Sequence, residues 1–280
     1  MRALLVSFSV LFLASCSSKL AYNNLDWWVY WYMDDYIELR DEQEEKFDDY
    51  LENWLSWHKT SELKRYQAQL TEVKDQIKKG SLDSNSVYEH LVNARTHWER
   101  VRDEVSPELA EIAKTLDDEQ VVTLFAALEK DNKEEEEERQ DALDKSEEQR
   151  LEERIERIEE TVRERIGKLT SEQKQIVSTY ATQFIPTGDE WLTYRRNIQN
   201  AARKLFVTRK FNDNFETELV TLMQNPDSYK SEIYKQSSAH NMTVTATLIS
   251  EVFSTLTDKQ RETLIKNIDE LIDTVENFRG

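Results

Sequence analysis

The side chains best able to do chemistry are few. The chain has four histidines, at positions 58, 90, 97 and 240, and one cysteine, Cys16. His90 and His97 are seven residues apart, so on a helix they would lie about 10 Å apart along one face, too far to bind one metal without further ligands. No Glu-x-x-His or His-Glu-x-x-His motif occurs, and the four glycines form no phosphate-binding loop. The sequence therefore predicts no enzyme, no metal and no cofactor, with an unrecognised enzyme as one alternative.

Cys16 instead follows an apolar leader. Arg2 precedes a run of about a dozen apolar residues, which is the length of a signal-peptide core and too short to span a bilayer. The run ends in Leu13-Ala14-Ser15-Cys16, a pattern that resembles a bacterial lipobox. Residues 1–15 are predicted to be a lipoprotein signal peptide and Cys16 the acylated residue; an ordinary signal peptide with a chance cysteine is the alternative. Several acyl chains at Cys16 would hold the chain stably on a membrane.

The predicted location follows from this anchor. Residues 16–24 would form a short tether, and Ser17 resembles the outer-membrane sorting signal of Gram-negative lipoproteins. We therefore expect a membrane-bound envelope protein that faces the periplasm. The net charge of −19 argues against a nucleic-acid partner, and no small-molecule substrate is indicated.

Composition and spacing predict an all-α fold. Only four glycines and three prolines interrupt the chain, and apolar residues recur at steps of three and four. We expect nine to eleven helices in antiparallel hairpins, divided into an N-terminal region (25–166) and a C-terminal region (167–280). One long charged helix is expected at 133–166, either solvated or offered to a basic partner. Pro107 is expected in the first turn of a helix capped by Ser106.

An aromatic stretch, "YNNLDWWVYWYMDDY" (22–36), follows the tether. The spacing of Leu25, Trp28, Tyr32 and Tyr36 predicts that these residues face the core. Trp27 and Trp31 lie off this stripe and are predicted to be exposed, beside Asp34 and Asp35. They could meet a third helix, a partner protein or the bilayer interface; the neighbouring carboxylates favour a protein.

A five-residue motif, Leu-x-x-x-Gln, occurs four times, at 39–43, 116–120, 169–173 and 256–260. In three copies Asp117, Thr170 or Thr257 is predicted to cap a helix, with the glutamine three residues later completing a capping box. In the first copy Arg40 cannot cap, so Asp41 with Glu44 is expected to do so. The alternative is that the motif is a recognition element.

Basic residues are concentrated at 191–212. Arg196, Arg203 and Lys210 recur every seven residues and are predicted to share a face. This basic face would balance the acidic helix or, alternatively, bind phosphate groups of lipid. Arg195 lies within an apolar stripe, so its guanidinium must reach solvent or be paired, with Asp34 and Asp35 as candidate partners.

Two resemblances add to this interpretation. The motif resembles the LTxxQ signature of the Spy-type periplasmic chaperones, small helical proteins that bind unfolded clients. The lipobox with residues 21–43 and 54–63 resembles an uncharacterised proteobacterial lipoprotein family. We therefore predict a non-catalytic envelope lipoprotein that binds other proteins in a chaperone-like or stress-linked role; a structural lipoprotein docked to one fixed envelope partner is the alternative.

Overall fold

The computed structural model describes residues 24–279, and these are helical almost throughout, which confirms the all-α prediction. The described part contains eleven α-helices, within the predicted range: α1 (Leu25–Met33), α2 (Asp41–Trp57), α3 (Leu63–Lys79), α4 (Ser84–Thr115), α5 (Asp118–Leu143), α6 (Glu147–Ile166), α7 (Ser171–Ala181), α8 (Gly188–Thr208), α9 (Phe215–Gln224), α10 (Glu232–Ser254) and α11 (Asp258–Arg279). A π-helical turn (His58–Glu62) joins α2 to α3, and a 3-10 turn (Pro226–Tyr229) precedes α10.

Pro107 lies inside α4 instead of at a helix start, so the predicted boundary was wrong. A proline cannot donate to the carbonyl four residues earlier, which leaves Asp103 O without its helical partner. Gln224 Nε2, at the end of α9, donates to that oxygen at 3.2 Å. Ser106 makes no cap; its hydroxyl donates back to Arg102 O. The neighbouring helix thus supplies the hydrogen bond that proline removes, and α4 continues.

The charged run 133–166 is divided between α5 and α6 and does not form one helix. Ser146 starts α6, and its hydroxyl accepts from Gln149 N at 3.2 Å while Gln149 Oε1 accepts from Ser146 N at 3.0 Å. This is a capping box. The turn sends α6 back along the bundle, where Ile155, Ile158 and Val162 pack against the core. The α6 segment of the acidic run is therefore packed, whereas the α5 segment is joined to α8 by the ion pairs of Glu136 with Arg196 and of Arg139 with Asp189.

Clusters of the apolar core contain residues from both predicted regions. One cluster joins Ile77 of α3 to Ala246 of α10 and Ile272 of α11. A second joins Phe125 of α5 to Phe206 of α8 and Phe215 of α9, with edge-to-face ring contacts. Since α4 packs against α9 and α10, and α11 against α3, the chain before residue 166 and the chain after it share their buried surfaces.

The four motif glutamines are buried and meet in two pairs. Gln43 and Gln120 donate to one another's Oε1 at 3.2 and 2.7 Å. Gln173 and Gln260 do so at 2.9 Å in both directions. We call these the glutamine pairs. Each Oε1 also accepts from the backbone N–H of the residue at the start of its own helix.

Both glutamine pairs follow one bonding rule. Each glutamine Nε2 also donates to the backbone carbonyl five residues before its partner glutamine. The donors and acceptors are Gln43 to Thr115, Gln120 to Glu38, Gln173 to Thr255 and Gln260 to Lys168. Each pair therefore fastens the starts of two helices that are far apart in sequence, α2 to α5 and α7 to α11. The caps at Asp117, Thr170 and Thr257 are present, accepting from the N–H three residues on. In the first copy the helix begins after Arg40 itself, so the cap expected at Asp41 was wrong.

Candidate functional site

Helix α1 lies on the bundle through one face. Val29, Tyr30 and Met33 pack in a cluster with Phe47 of α2, and the Tyr30 and Phe47 rings meet edge to face with centroids 5.6 Å apart. Tyr30 Oη donates to Asp48 Oδ1 at 2.6 Å. Burial, with that carboxylate beside it, raises the pKa of the Tyr30 phenol, so the hydroxyl keeps its proton. The short helix is thus held by apolar contacts and a charge-assisted hydrogen bond.

The opposite face of α1 carries Trp27, Trp28 and Trp31, which we call the tryptophan cluster. Their side chains are 56%, 44% and 54% exposed. The Trp28 ring stands edge to face against Trp27 and Trp31, with centroids 4.9 and 5.7 Å apart. Trp27 and Trp31 stack at 6.5 Å. The three rings therefore form one exposed aromatic surface that is supported mainly by its own members.

The assignment of Trp28 to the core was wrong. Trp28 and Tyr32 are exposed, and α1 ends at Met33, before Tyr36. Because every residue of α1 except Asp26 is apolar or aromatic, its spacing could not select the face that packs. Trp27 and Trp31 are exposed as expected, and Asp34 and Asp35 are exposed directly after the helix. Asp26, within α1, is exposed as well, so three carboxylates lie within four residues of a tryptophan in the sequence.

The residues of the predicted basic face have separate intramolecular contacts. Arg196 of α8 bonds Glu129 and Glu136 of α5, at 3.0 and 2.8 Å. Lys210 pairs with Asp118 at 2.8 Å, and the Arg203 guanidinium lies 5.2 Å from the centre of the Phe125 ring.

Arg195 is paired, and its partner is not one of the two candidates. Its Nη2 lies 3.2 Å from Asp131 Oδ2, which also accepts from Tyr36 Oη at 2.6 Å. Asp131 therefore joins α8 to the segment that follows α1. The sequence held no signal for this partner because α5 offers many acids at similar spacings.

Sequence reasoning missed a second site, a buried charged cluster at the π-helical turn. Glu62 is fully buried. Arg100 of α4 donates to both Glu62 carboxylate oxygens at 2.9 to 3.1 Å, and Arg65 Nε lies 3.2 Å from Oε1. Turns of π-helix are often found at functional positions, but neither the turn nor the burial of Glu62 can be seen in the spacing of residues.

Two histidines complete this cluster. His97 Nδ1 accepts from Arg100, and its Nε2 donates to Gln69 Oε1 at 2.6 Å. His58 Nε2 lies 3.3 Å from Tyr66 Oη. Burial opposes ionisation of Glu62, but the hydrogen bonds and charge of Arg100 outweigh it and lower the pKa of the carboxyl group. Burial lowers the pKa of both histidines, helped by Arg100 at His97, and raises the pKa of Tyr66 to about 12.

This arrangement predicts that the protein loses stability on mild acidification. The pKa of each histidine is lower in the folded chain than in the unfolded chain, so the unfolded chain binds more protons as the pH falls through the unfolded value of about 6.5. The free energy of unfolding should therefore be greatest above pH 7 and decrease toward pH 5. Urea denaturation at pH 7.5, 6.5 and 5.5 measures this. A His97→Gln chain should show a shallower decrease; equal or greater stability at pH 5.5 would contradict the prediction.

Within residues 24–279 no group of three histidine, cysteine, aspartate or glutamate side chains is arranged to hold a metal. Over the same range, no helix is long and apolar enough to cross a bilayer. Cys16 and the leader lie outside the described residues.

The described chain is an all-α bundle that carries an exposed aromatic helix and an internal charged cluster. A family model matches residues 35–235, more than two thirds of the 280 residues. The chain belongs to this family, which is described as a family of unknown function, DUF6279. None of the curated proteins and none of the solved structures matches. Membership of an uncharacterised family is thereby confirmed, whereas the lipoprotein character and the likeness to Spy-type chaperones stay predictions.

Proposed function

We propose that this protein is a lipid-anchored, non-catalytic component of the cell envelope that docks one partner protein through the tryptophan cluster. The observation that carries this proposal is the exposure of three mutually packed tryptophans on a helix whose other face is fixed to the bundle. Large exposed aromatic side chains are typical of contact surfaces, and tryptophan is enriched among the residues that dominate binding energy.

The chemistry of the partner follows from the surroundings of the cluster. Asp26, Asp34 and Asp35, which are close to the three tryptophans in the sequence, are exposed, and residues 24–36 contain no lysine or arginine. We therefore expect a partner with an apolar recess bordered by basic side chains. The same carboxylates disfavour immersion of the cluster in an anionic bilayer.

The anchor supports docking close to a membrane. Trp27 lies eleven positions after Cys16, and an extended chain of that length spans at most about 40 Å. If Cys16 is acylated, the cluster stays within this distance of the bilayer. A partner in the same membrane would then meet it at high effective concentration.

The choice between one fixed partner and many clients rests on the form of the surface. The tryptophan cluster is a single compact patch on one helix, which favours a defined complementary site. A chaperone-like protein would bind many different proteins through the same patch. An enzyme would need converging reactive groups, and the buried cluster around Glu62 is instead satisfied by its own ion pairs.

Photo-crosslinking in cells tests the proposal. A benzoylphenylalanine at the exposed position of Tyr32 should capture one discrete protein. The double substitution Trp27→Ala with Trp31→Ala should reduce this product at least tenfold, as expected when binding-energy hot spots are removed. It should leave the melting temperature within a few degrees. Purified partner, once identified by mass spectrometry, should bind the double variant at least tenfold more weakly.

Trp98→Ala is the matched control, because Trp98 of α4 is also an exposed tryptophan and its loss should leave the crosslink intact. A Cys16→Ser chain should lose the crosslink if anchoring is required. Many crosslinked species would indicate a chaperone, and crosslinks to lipid alone would indicate a membrane contact; either result would overturn docking to one partner.

A further inference from the structure

The end of α8 and the turn after it present a second exposed apolar surface. Val207 and Phe211 are 75% and 91% exposed, more than any other large hydrophobic side chain among the described residues. They are four positions apart, Val207 in the last turn of α8 and Phe211 in the turn that follows the helix. We call these two residues the apolar tip.

The apolar tip is held rigidly from inside. Arg209, between its two members, is buried; its Nε donates to Leu116 O at 3.1 Å, its Nη1 to Phe206 O at 2.9 Å, and it also pairs with Asp118. The turn closes through Phe211 N, which donates to Thr208 O at 2.9 Å. The buried Arg209 side chain therefore fixes the backbone before and after position 209. The Phe211 side chain is left exposed by the turn.

The tip lies in the most basic segment of an acidic chain. Residues 191–212 contain six lysines and arginines and no acid. Arg203, Lys204 and Lys210, each within four residues of Val207 in the sequence, are exposed, as is Asp213, two residues after Phe211. Lys210 faces Asp118, whereas Arg203 and Lys204 form no ion pair within residues 24–279. Proteins bind anionic membrane surfaces by burying apolar side chains among the lipids. Neighbouring lysines and arginines extend toward the phosphate groups.

We propose that the apolar tip is a membrane-contact site that inserts Phe211 and Val207 between anionic lipid headgroups, with Arg203 and Lys204 against the phosphates. The charge distribution of the molecule favours this orientation, because the acidic remainder of the chain is repelled by the same surface. The site is separate from the tryptophan cluster and does not depend on whether that cluster docks a protein. A single wedge of this size binds weakly, so it orients the bundle on the membrane and does not replace an anchor.

A spin label on the apolar tip tests the proposal. Cys16 is the only cysteine of the chain, so Val207→Cys in a Cys16→Ser background leaves one thiol, which is the site for the label. The full chain is mixed with vesicles of phosphatidylcholine alone or with an equal part of phosphatidylglycerol. With anionic vesicles, collisions of the label with a water-soluble nickel chelate should fall at least threefold and those with oxygen should rise. Phe211→Asp in the same chain should abolish both changes.

Ile233→Cys provides the matched control, since Ile233 is also an exposed apolar residue and its label should stay accessible to the nickel chelate. Trp27→Ala with Trp31→Ala should leave the signal at position 207 unchanged, which separates this proposal from the docking function. An unchanged signal with anionic vesicles would overturn the proposal. So would protection that appears without vesicles as protein concentration rises, because the tip would then contact a second copy of the chain.

Discussion

Gln173→Ala is expected to lower the free energy of unfolding by about 3–5 kcal/mol. Gln173 is completely buried, and its removal leaves Thr255 O, Thr170 N and the Gln260 amide each short of a hydrogen-bond partner. A buried polar group left unpaired costs about 1–3 kcal/mol, and the lost side-chain volume adds to this. Urea denaturation of the variant and the parent chain measures the difference.

Gln149→Ala is the matched control, because Gln149 completes a capping box of the same kind on the exposed start of α6. Its loss should cost about 1 kcal/mol or less. Gln260→Ala introduced after Gln173→Ala should cost less than Gln260→Ala in the parent chain, since the two amides satisfy one another. Strictly additive losses would show that the two amides act as separate caps and that the pairing adds nothing.

Glu62→Gln is the second large effect, with an expected loss of about 3–5 kcal/mol, the cost of removing one partner of a buried ion pair. The substitution keeps the shape of the side chain but removes the charge that Arg100 and Arg65 face. The π-helical turn should lose its fixed form as well. The free energy of unfolding by urea and amide hydrogen exchange across residues 57–66 measure both consequences.

Glu216→Gln is the corresponding change in an exposed ion pair, where Glu216 lies 2.8 Å from Lys114. Water already solvates both groups, so its effect should be far smaller. Replacing Arg100 with methionine in the Glu62→Gln chain should recover part of the loss, because no buried charge then remains alone. If Glu62→Gln destabilises no more than Glu216→Gln, the buried cluster does not stabilise the turn.

The helix starts could be predicted from single residues, whereas their pairing could not. Asp117, Thr170 and Thr257 cap as their types require, because a cap is a contact between residues three apart in the chain. The glutamine pairs join residues 77 and 87 positions apart. No residue near Gln43 in the sequence identifies Gln120 as its partner. The motif could therefore be recognised as a helix start, but its tertiary contact could not be predicted.

The errors in the helix boundaries have local physical causes. A proline usually marks a boundary because it removes one hydrogen bond; at Pro107 the side chain of Gln224 replaces that bond, and the sequence gives no sign of this distant donor. Within 133–166 the sequence does contain a helix-start signal, the capping box of Ser146 and Gln149. The surrounding residues are strong helix formers, and their composition favoured one uninterrupted helix. Capping residues therefore deserve weight even where composition favours uninterrupted helix.

The tryptophan cluster was predicted in part, since the exposure of Trp28 was missed. Trp27 and Trp31 are exposed as expected, but the packing face of α1 is chosen by what α2 offers, namely the Phe47 ring and the Asp48 carboxylate. Asp48 accepts from Tyr30 and turns Trp28 outward. Periodicity selects a face only when the other faces are polar, and Asp26 is the only charged residue of α1.

The glutamine pairs also bear on which parts of the fold would unfold first as the pH falls or the ionic strength rises. Amides do not take up protons in the ordinary range, and they carry no net charge for counter-ions to neutralise. The contact between α5 and α8 is different, because Arg196 and Arg139 join the two helices through ion pairs with carboxylates. The Glu62 cluster, in turn, depends on neutral histidines. Acid would therefore loosen the contact between α5 and α8 and the π-helical turn first, and concentrated electrolyte would weaken the ion pairs between α5 and α8. The four helix starts, joined through neutral groups, would stay closed and provide the framework on which the rest could reassemble.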